Sequence, residues 1–183
     1  MLFRSVEKTI AALGLPCILK LPDGSFSRGV HKVSTAEELE SKALAMMNDS
    51  SLILAQEYMY TDFDWRIGVL DRQPLFACKY YMSQGHWQIY QHKEGGNFNA
   101  GGWETLDVMS VPRCVRETAL RAANLIGDGL YGVDIKQQGN KAYVIEINDN
   151  PNIDRGIEDH VMGELIYERV MLEFLRRLQQ RGL

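Results

Sequence analysis

The sequence predicts an α+β protein in two lobes, each built on mainly antiparallel strands. Three observations predict it. The chain has 183 residues, 45% hydrophobic and 24% charged, which is ordinary globular composition. Its apolar runs have the length of strands and are separated by short turns rich in Gly, Pro and Asn, the pattern of hairpins. The character changes near the middle of the first half. A small helix-and-strand piece, residues 1–57, gives way to a larger one, residues 58–183, with longer alternating strands and two helices.

Taken in order, Ser5 to Leu13 reads as a short helix with Ser5 as cap, Gly14 as stop and Pro16 just beyond. Cys17 to Leu21 is a strand ending at Pro22. Asp23 to Gly29 is a polar loop, and Val30 to Val33 is the returning strand. Ser34 and Glu37 have capping-box spacing and open a helix to about Met47. Leu52 to Tyr58 is a further strand. Asp64 to Leu70 alternates with period two, the mark of a half-buried strand. Asp71 to Gln73 turns the chain. Leu75 to Met82 and Trp87 to Gln91 are strands, and Lys93 to Gly102 is a loop. Ser110 and Pro112 open a helix carrying Val115, Ala119, Ala122, Ala123 and Ile126 on one face. Tyr131 to Gln137 and Ala142 to Asn148 are strands about Gly139-Asn140-Lys141. A polar loop follows to Gly156. A last helix runs from about Ile157 to Leu178, with Glu158, Asp159 and Glu164 early and arginines late, as the helix dipole favours.

The composition also excludes classes. Net charge is −4 and the bases are scattered, so there is no basic stripe for nucleic acid. No apolar run approaches the roughly 20 residues that span a bilayer. Neither a membrane protein nor, from the start of the chain, a secreted one is expected. Three widely spaced cysteines, Cys17, Cys78 and Cys114, fit free thiols in a reducing cytosol, so a cytoplasmic location is expected. His31, His86, His92 and His160 have no zinc-ligand spacing.

Four constellations could carry chemistry. In the strand ending I-E-I-N-D-N-P-N, Glu146 and Asn148 are two apart and share a face, while Tyr143, Ile145 and Ile147 lie on the other and want a core. Such oxygen donors suit Mg²⁺. Asp134, in V-D-I, joins them only in one register. A two-residue turn at Gly139-Asn140 sets it opposite Ile145. A three-residue turn over Gly139 to Lys141 sets it opposite Glu146, and is expected because Gly139 or Asn140 supplies the left-handed residue it needs. The plain alternative is the solvated face of an edge hairpin.

Lys20 precedes the loop D-G-S-F-S-R-G, whose glycine bounds let backbone amides approach phosphate oxygens, though Val30 and His31 stand where a P-loop has Lys and Ser or Thr. The alternative is an exposed turn. Asp64 and Arg66 share a strand face opposite Trp65, Ile67 and Val69, and a two- or four-residue turn after Leu70 brings Lys79 to that same face. This arrangement suits a polyphosphate or acyl phosphate; the bland reading is a cross-strand ion pair. Last, Gln56-Glu57-Tyr58-Met59 at the join could bond a flat heterocycle through its backbone, or be a linker strand.

In this order the pieces resemble an ATP-grasp fold, and specifically the RimK-like carboxylate–amine ligases. The matching stretches are I-L-K-L-P-D-G-S-F-S-R-G-V, Q-E-Y-M, D-W-R, G-V-D-I and I-E-I-N-D-N-P-N-I-D, over nearly the whole chain. The resemblance implies a nucleotide cleft between the lobes. Lys20 would bind the ATP phosphates under a lid formed by residues 23–29, with Gly24, Ser25, Ser27 and Gly29 as its contacts. Glu57, Tyr58 and Met59 would hold adenine, and Asp64 would lie at the nucleotide. Arg66 and Lys79 would be the catalytic cations at the γ-phosphate and acyl phosphate. Asp134, Glu146 and Asn148 would hold Mg²⁺, with Mn²⁺ as the alternative ion. Two departures stand out. Ile89 to Gly96 (I-Y-Q-H-K-E-G-G) lacks the Arg-Ser-Asn run that the ribosomal-protein ligase carries before its Gly-Gly loop. The chain also begins almost at the first helix of the grasp, so a preceding domain is expected in a longer protein.

The activity so implied is an ATP-dependent carbon–nitrogen ligase joining an amino-acid or peptide carboxylate to an amine through an acyl phosphate. Alternatives are a non-catalytic ATP-binding domain and a phosphotransferase on the same fold. Neither nucleic acid nor membrane is expected as a partner, and a homo-oligomer is open.

Overall fold

The computed structural model describes residues 2–22, 29–92 and 98–182. The chain forms two compact units, Met1–Tyr60 and Thr61–Leu183. The division thus falls after Tyr60, where the sequence reading put it after residue 57.

In the first unit, helix α1 (Leu2–Leu13) stops at Gly14, whose N–H still reaches the Ile10 carbonyl at 2.8 Å and whose positive φ of 72° turns the chain out of the helix. Strand β1 (Cys17–Lys20) lies between β2 (Val30–Val33) and β3 (Leu54–Glu57), antiparallel to both. Helix α2 (Ala36–Met46) covers the sheet with α1. Its N-cap is Thr35, whose hydroxyl accepts from the Glu38 N–H, and the Glu38 carboxylate accepts from the Ser34 N–H at 2.7 Å. The capping pair is therefore one residue later than expected from Ser34 and Glu37, because Thr35 is still extended. Cys17, Leu19 and Val33 of the sheet pack against Leu39 and Met46 of α2 and Ile10 of α1.

The second unit is built on a five-stranded antiparallel sheet. Its strands are β4 (Phe63–Leu70), β5 (Gln73–Tyr81), β8 (Trp103–Leu106), β9 (Leu130–Gln138) and β10 (Lys141–Asn148), in the order β10-β9-β4-β5-β8. A two-stranded ribbon, β6 (Tyr90–His92) with β7 (Phe98–Ala100), stands apart. Strand β7 falls within the expected Lys93 to Gly102 loop, and β8 follows it in a stretch to which the sequence assigns no element; both are short and carry polar residues, so they have no period to read. Helix α3 (Arg113–Ile126) covers one face, where Val115, Ala119 and Ala123 meet Trp65, Ile67, Val69, Val133 and Ile135. On the other face, helix α4 (Leu165–Gln180) contributes Ile166 to a cluster with Leu70, Leu75, Phe76 and Cys78.

The expected helix from Ile157 begins only at Leu165. Residues 155–164 form successive turns instead. Gly156 and Gly163 sit at positive φ there, and the Glu158 and Asp159 side chains turn inward to accept the Asp154 and Gly156 N–H groups. Backbone capture by side chains competes with helix.

Two β-bulges set the registers. The β4–β5 hairpin has a two-residue turn, Asp71-Arg72, both at positive φ, and then skips Leu75, so that Gly68 faces Phe76 and Trp65 faces Lys79. The β9–β10 hairpin turns on Gly139-Asn140 alone, since Gln138 faces Lys141, which overturns the three-residue turn expected from the sequence. Its register shifts at Ile145 and the pairing resumes as Asp134 with Glu146. The bulge also reverses the faces before it. Ala142 and Ile147 pack toward the core while Tyr143, expected inside, is exposed.

Candidate functional site

The face of the second sheet turned away from α3 carries the polar constellation. Arg66 on β4 lies directly opposite Asp134 on β9. Its Nε and Nη2 donate to the two carboxylate oxygens at 2.8 Å each, a bidentate pair with little exposure on either side chain. Burial disfavours the guanidinium charge, but the Asp134 bonds and charge outweigh it, so Arg66 is held more firmly protonated than usual. The guanidinium also lies over the Tyr80 ring, 5.3 Å from its centroid. Two of the five N–H donors of a guanidinium are spent on Asp134.

Two positions along, Asp64 accepts from Lys136 Nζ at 2.6 Å and from the Thr61 hydroxyl at 2.9 Å. Burial raises the Asp64 carboxyl above the usual carboxylate range, against the pull of Lys136. The face therefore alternates acid and base: Asp64 with Lys136, Arg66 with Asp134.

Tyr80 and Glu158 close the other side. The Tyr80 hydroxyl donates to Glu158, which is 1% exposed. Burial first, and then this carboxylate, drives the phenol far above its ordinary range, so it stays a donor. The second Glu158 oxygen accepts the Asp154 N–H at 2.8 Å, and Thr105 on β8 donates to the Ile157 carbonyl at 2.6 Å. These bonds tie the segment after β10 down onto the sheet.

Glu146 lies opposite Asp134, and Asn148 opposite Gly132, so all three predicted metal-ligand positions share this face. The Asn148 amide approaches Glu146 Oε1 at 3.5 Å. Gly132 supplies space: a Cβ there would fall 2.7 Å from the Cβ of Pro151.

Lys79, expected beside Arg66, is on the opposite face. The Leu75 bulge pairs it with Trp65, and its ammonium sits 2.7 Å from Glu104 Oε2 and over the Phe63 and Trp65 rings. The cation that joins Arg66 is instead Lys136, two residues beyond Asp134 on the same strand face. Tyr80 and Glu158 join the site without a sequence cue to that role. Tyr80 follows Cys78 by two and so shares its face, a signal hidden until the bulge is known. Glu158 reads as a helix-dipole acid while residues 157–164 are taken as helix.

The remaining expected residues belong to the first unit. Lys20 ends β1, between Val30 and Leu54, and is half-buried. Gly29 has a φ of +70° and stands against Leu21. Glu57 ends β3 opposite Cys17 and is exposed, while Tyr58 and Met59 follow half-buried. Lys32 lies 3.9 Å over the Tyr58 ring. Gly24, Ser25 and Ser27 lie outside the described residues.

Among the described residues no three His, Cys, Asp or Glu gather as a metal cage. Two carboxylates and an amide oxygen are nevertheless hard donors, and Mg²⁺ is commonly held by one or two carboxylates with substrate phosphates and water completing its shell. The donor set fits such an ion shared with a polyphosphate.

The class follows from the fold. Over 98% of the chain, the structure superimposes on D-alanine–D-alanine ligase from Bacillus anthracis with a TM-score of 0.72 at 16% identity, covering 60% of that protein. A D-cycloserine synthetase, DcsG, matches with a TM-score of 0.71 at 17% identity over 95% of this chain and 61% of its own. The fold is ATP-grasp. Residues 3–166 match the family profile of the RimK-like ATP-grasp domain, and the chain belongs to that family. Its curated relatives include proteins named probable alpha-L-glutamate ligase. That of Shewanella loihica is 31% identical over 85% of this chain, and that of Vibrio atlanticus is 29% identical over 85%. The chain spans about half the length of these relatives, 50% in each case.

Proposed function

We propose that the chain is the nucleotide-binding and catalytic part of an ATP-dependent carboxylate–amine ligase of the glutamate or amino-acid type. What supports the reading most is the Arg66–Asp134 pair, with Glu146 and Asn148 on the same sheet face, inside a RimK-like ATP-grasp sequence. In this reading a substrate carboxylate oxygen attacks the γ-phosphorus of ATP. The bond from that phosphorus to the bridging oxygen breaks, and ADP leaves with the electron pair. The amine nitrogen of the second substrate then attacks the acyl carbon, phosphate departs, and the amine gives up a proton to leave an amide.

Lys20 would bind the phosphates as a point charge, with the 23–29 loop above them and Gly24, Ser25, Ser27 and Gly29 as contacts. Glu57, Tyr58 and Met59 would bond adenine through their backbone, with Asp64 near the nucleotide. Arg66, already oriented by Asp134 and Tyr80, would offer its unspent N–H donors to the γ-phosphoryl and to the oxyanion formed on the acyl carbon. Asp134, Glu146 and Asn148 would hold the metal ion. When bound there, a divalent cation would supply positive charge that offsets the charge developing on the phosphates. The three cysteines are free thiols, in keeping with a reducing cytoplasm, and no helix among the described residues is long and apolar enough to cross a membrane.

The test is incubation with Mg·ATP and a panel of amino acids that includes glutamate, with ADP, phosphate and new amide products measured by mass spectrometry. Glu146→Gln should abolish metal-dependent turnover while melting like the parent. Undiminished turnover in that variant would remove the metal role, and an absence of ATP binding would remove the proposal. Because the chain covers half of its relatives, a second reading is an ATP-binding domain that does not turn over by itself. Nucleotide binding without phosphate release supports it. ADP with a phosphorylated product and no amide would instead indicate a phosphotransferase.

A further inference from the structure

Helix α4 is held to the sheet by one side only. Ile166 is fully buried, Val170 packs with it, and Glu173 and Arg177 are tied together and to the Asp128 turn. Its outward side is apolar: Met171 is 67% exposed, Phe174 42%, Leu175 50% and Leu178 47%. Read along that side, the residues are Glu164, Tyr167, Met171, Phe174, Leu178 and Arg181, at spacings alternating between three and four; Tyr167 is the inner edge of the row, half-buried against the sheet cluster with its hydroxyl donating to Asp159 at 2.9 Å. This is the spacing that paired helices use along their seam. Glu164 and Arg181 both have right-handed helical dihedrals, so the seam extends through both caps.

The seam is complementary to its own reversal. The spacing pattern reads the same from either end. Turned end for end about an axis between residues 172 and 173, a second α4 sets Glu164 against Arg181, Tyr167 against Leu178 and Met171 against Phe174. Both ends then carry opposite charges and the middle carries only apolar contacts. A parallel copy would set acid on acid and base on base. We propose that the α4 seam is a homodimer interface, and that its occupant is the α4 of a second copy packed antiparallel across a two-fold axis. Such a contact is isologous, so one self-complementary helix closes the assembly. One helix pair is smaller than a standard interface, so the association should be weak and visible at micromolar concentration.

The experiment is sedimentation velocity on the full chain at low salt across micromolar concentrations, with Glu164→Lys and Arg181→Glu, alone and mixed. The parent should dimerise. Each variant alone turns both end pairs repulsive and should weaken the dimer constant about tenfold or more. An equimolar mixture of the two variants has both ends complementary again and should recover parental association. Met171→Glu should abolish the dimer. Circular dichroism checks that α4 is retained. Should a variant lose its fold, the parent alone still decides, because an antiparallel pair weakens as salt rises and a parallel pair tightens. A parent that stays monomeric, single variants that dimerise like the parent, or a mixture that fails to recover would each overturn the proposal and leave the seam to a different partner.

Discussion

Replacing Gly132 with alanine tests how the sheet positions the segment after β10. Gly132 has an ordinary strand conformation, so alanine there carries no backbone strain. The obstacle is space alone. The new Cβ would lie 2.7 Å from the Pro151 Cβ, whereas carbon atoms rest at about 3.5–4.0 Å. Pro151 must therefore retreat by roughly 1 Å or the segment after β10 must lift away from β9. Overpacking of this kind costs about 1–3 kcal/mol. For a unit of this size that is a fall in melting temperature of roughly 3–10 °C. Because Asn148 sits opposite Gly132 and Pro151 follows three residues later, the retreat also moves a proposed metal ligand.

Calorimetric melting and Mg·ATP titration read the two effects together. Gly132→Ala should lose both stability and nucleotide affinity. Gly68→Ala is the control: its Cβ would collide with the Phe76 ring at 2.2 Å, so it should lose stability while affinity holds. Pro151→Gly removes the colliding atom, and in a double-mutant cycle should return part of the affinity that Gly132→Ala costs. An unchanged melting temperature in Gly132→Ala, or purely additive effects with Pro151→Gly, would refute the reasoning.

Two other outcomes are expected. Hydrogen bonds from Arg176, then Arg177, pull the Glu173 carboxyl down to about 2. Its contribution to stability is thus present above the ordinary carboxylate value and lost as pH falls toward 2, so Glu173→Gln should melt below the parent at neutral pH and the gap should close between pH 4.5 and 2. Lys79→Met, on the face away from Arg66, should leave nucleotide affinity unchanged and shift stability by less than about 1 kcal/mol in urea unfolding; a large loss of affinity would return Lys79 to the site.

Most elements were legible because their signals are local. Val30 to Val33 is bounded by Gly29 and the Ser34-Thr35 cap, and β4 declares itself by strict alternation of Trp65, Ile67 and Val69 against Asp64 and Arg66. The acids of the last helix misled for the opposite reason. Glu158 and Asp159 fit a helix N-terminus by charge, yet they are buried and bind backbone amides of the turns before α4. Charge patterning cannot distinguish an acid that greets a helix dipole from one that replaces the helix. The Asp71-Arg72 turn shows a further limit. Both residues hold positive φ without glycine or asparagine, and what favours it is distant in sequence: the Asp71 carboxylate lies 3.5 and 3.6 Å from Arg176 and Arg177, and its N–H reaches the Asp128 carbonyl.

The composition of the site, finally, was decided by two extra residues. Both hairpins of the sheet turn on two residues, and with no bulge Lys79 would face Asp64 while Asp134 faced Ile145. The bulge at Leu75 moves Lys79 to the α3 side, and the bulge at Ile145 brings Glu146 opposite Asp134. A single residue of slip flips a whole strand between faces, so each bulge exchanges one set of side chains for the other. One had a visible cue. Pro74 adjoins the first bulge, just beyond the reach of β8, where a strand tolerates a residue without an N–H. The second had none, since Val144 and Ile145 are good strand formers on an edge strand, where bulges are common. Turn length alone therefore gave the wrong reason for a pairing of Asp134 with Glu146 that the fold reaches by another route, and it gave the wrong face for Lys79.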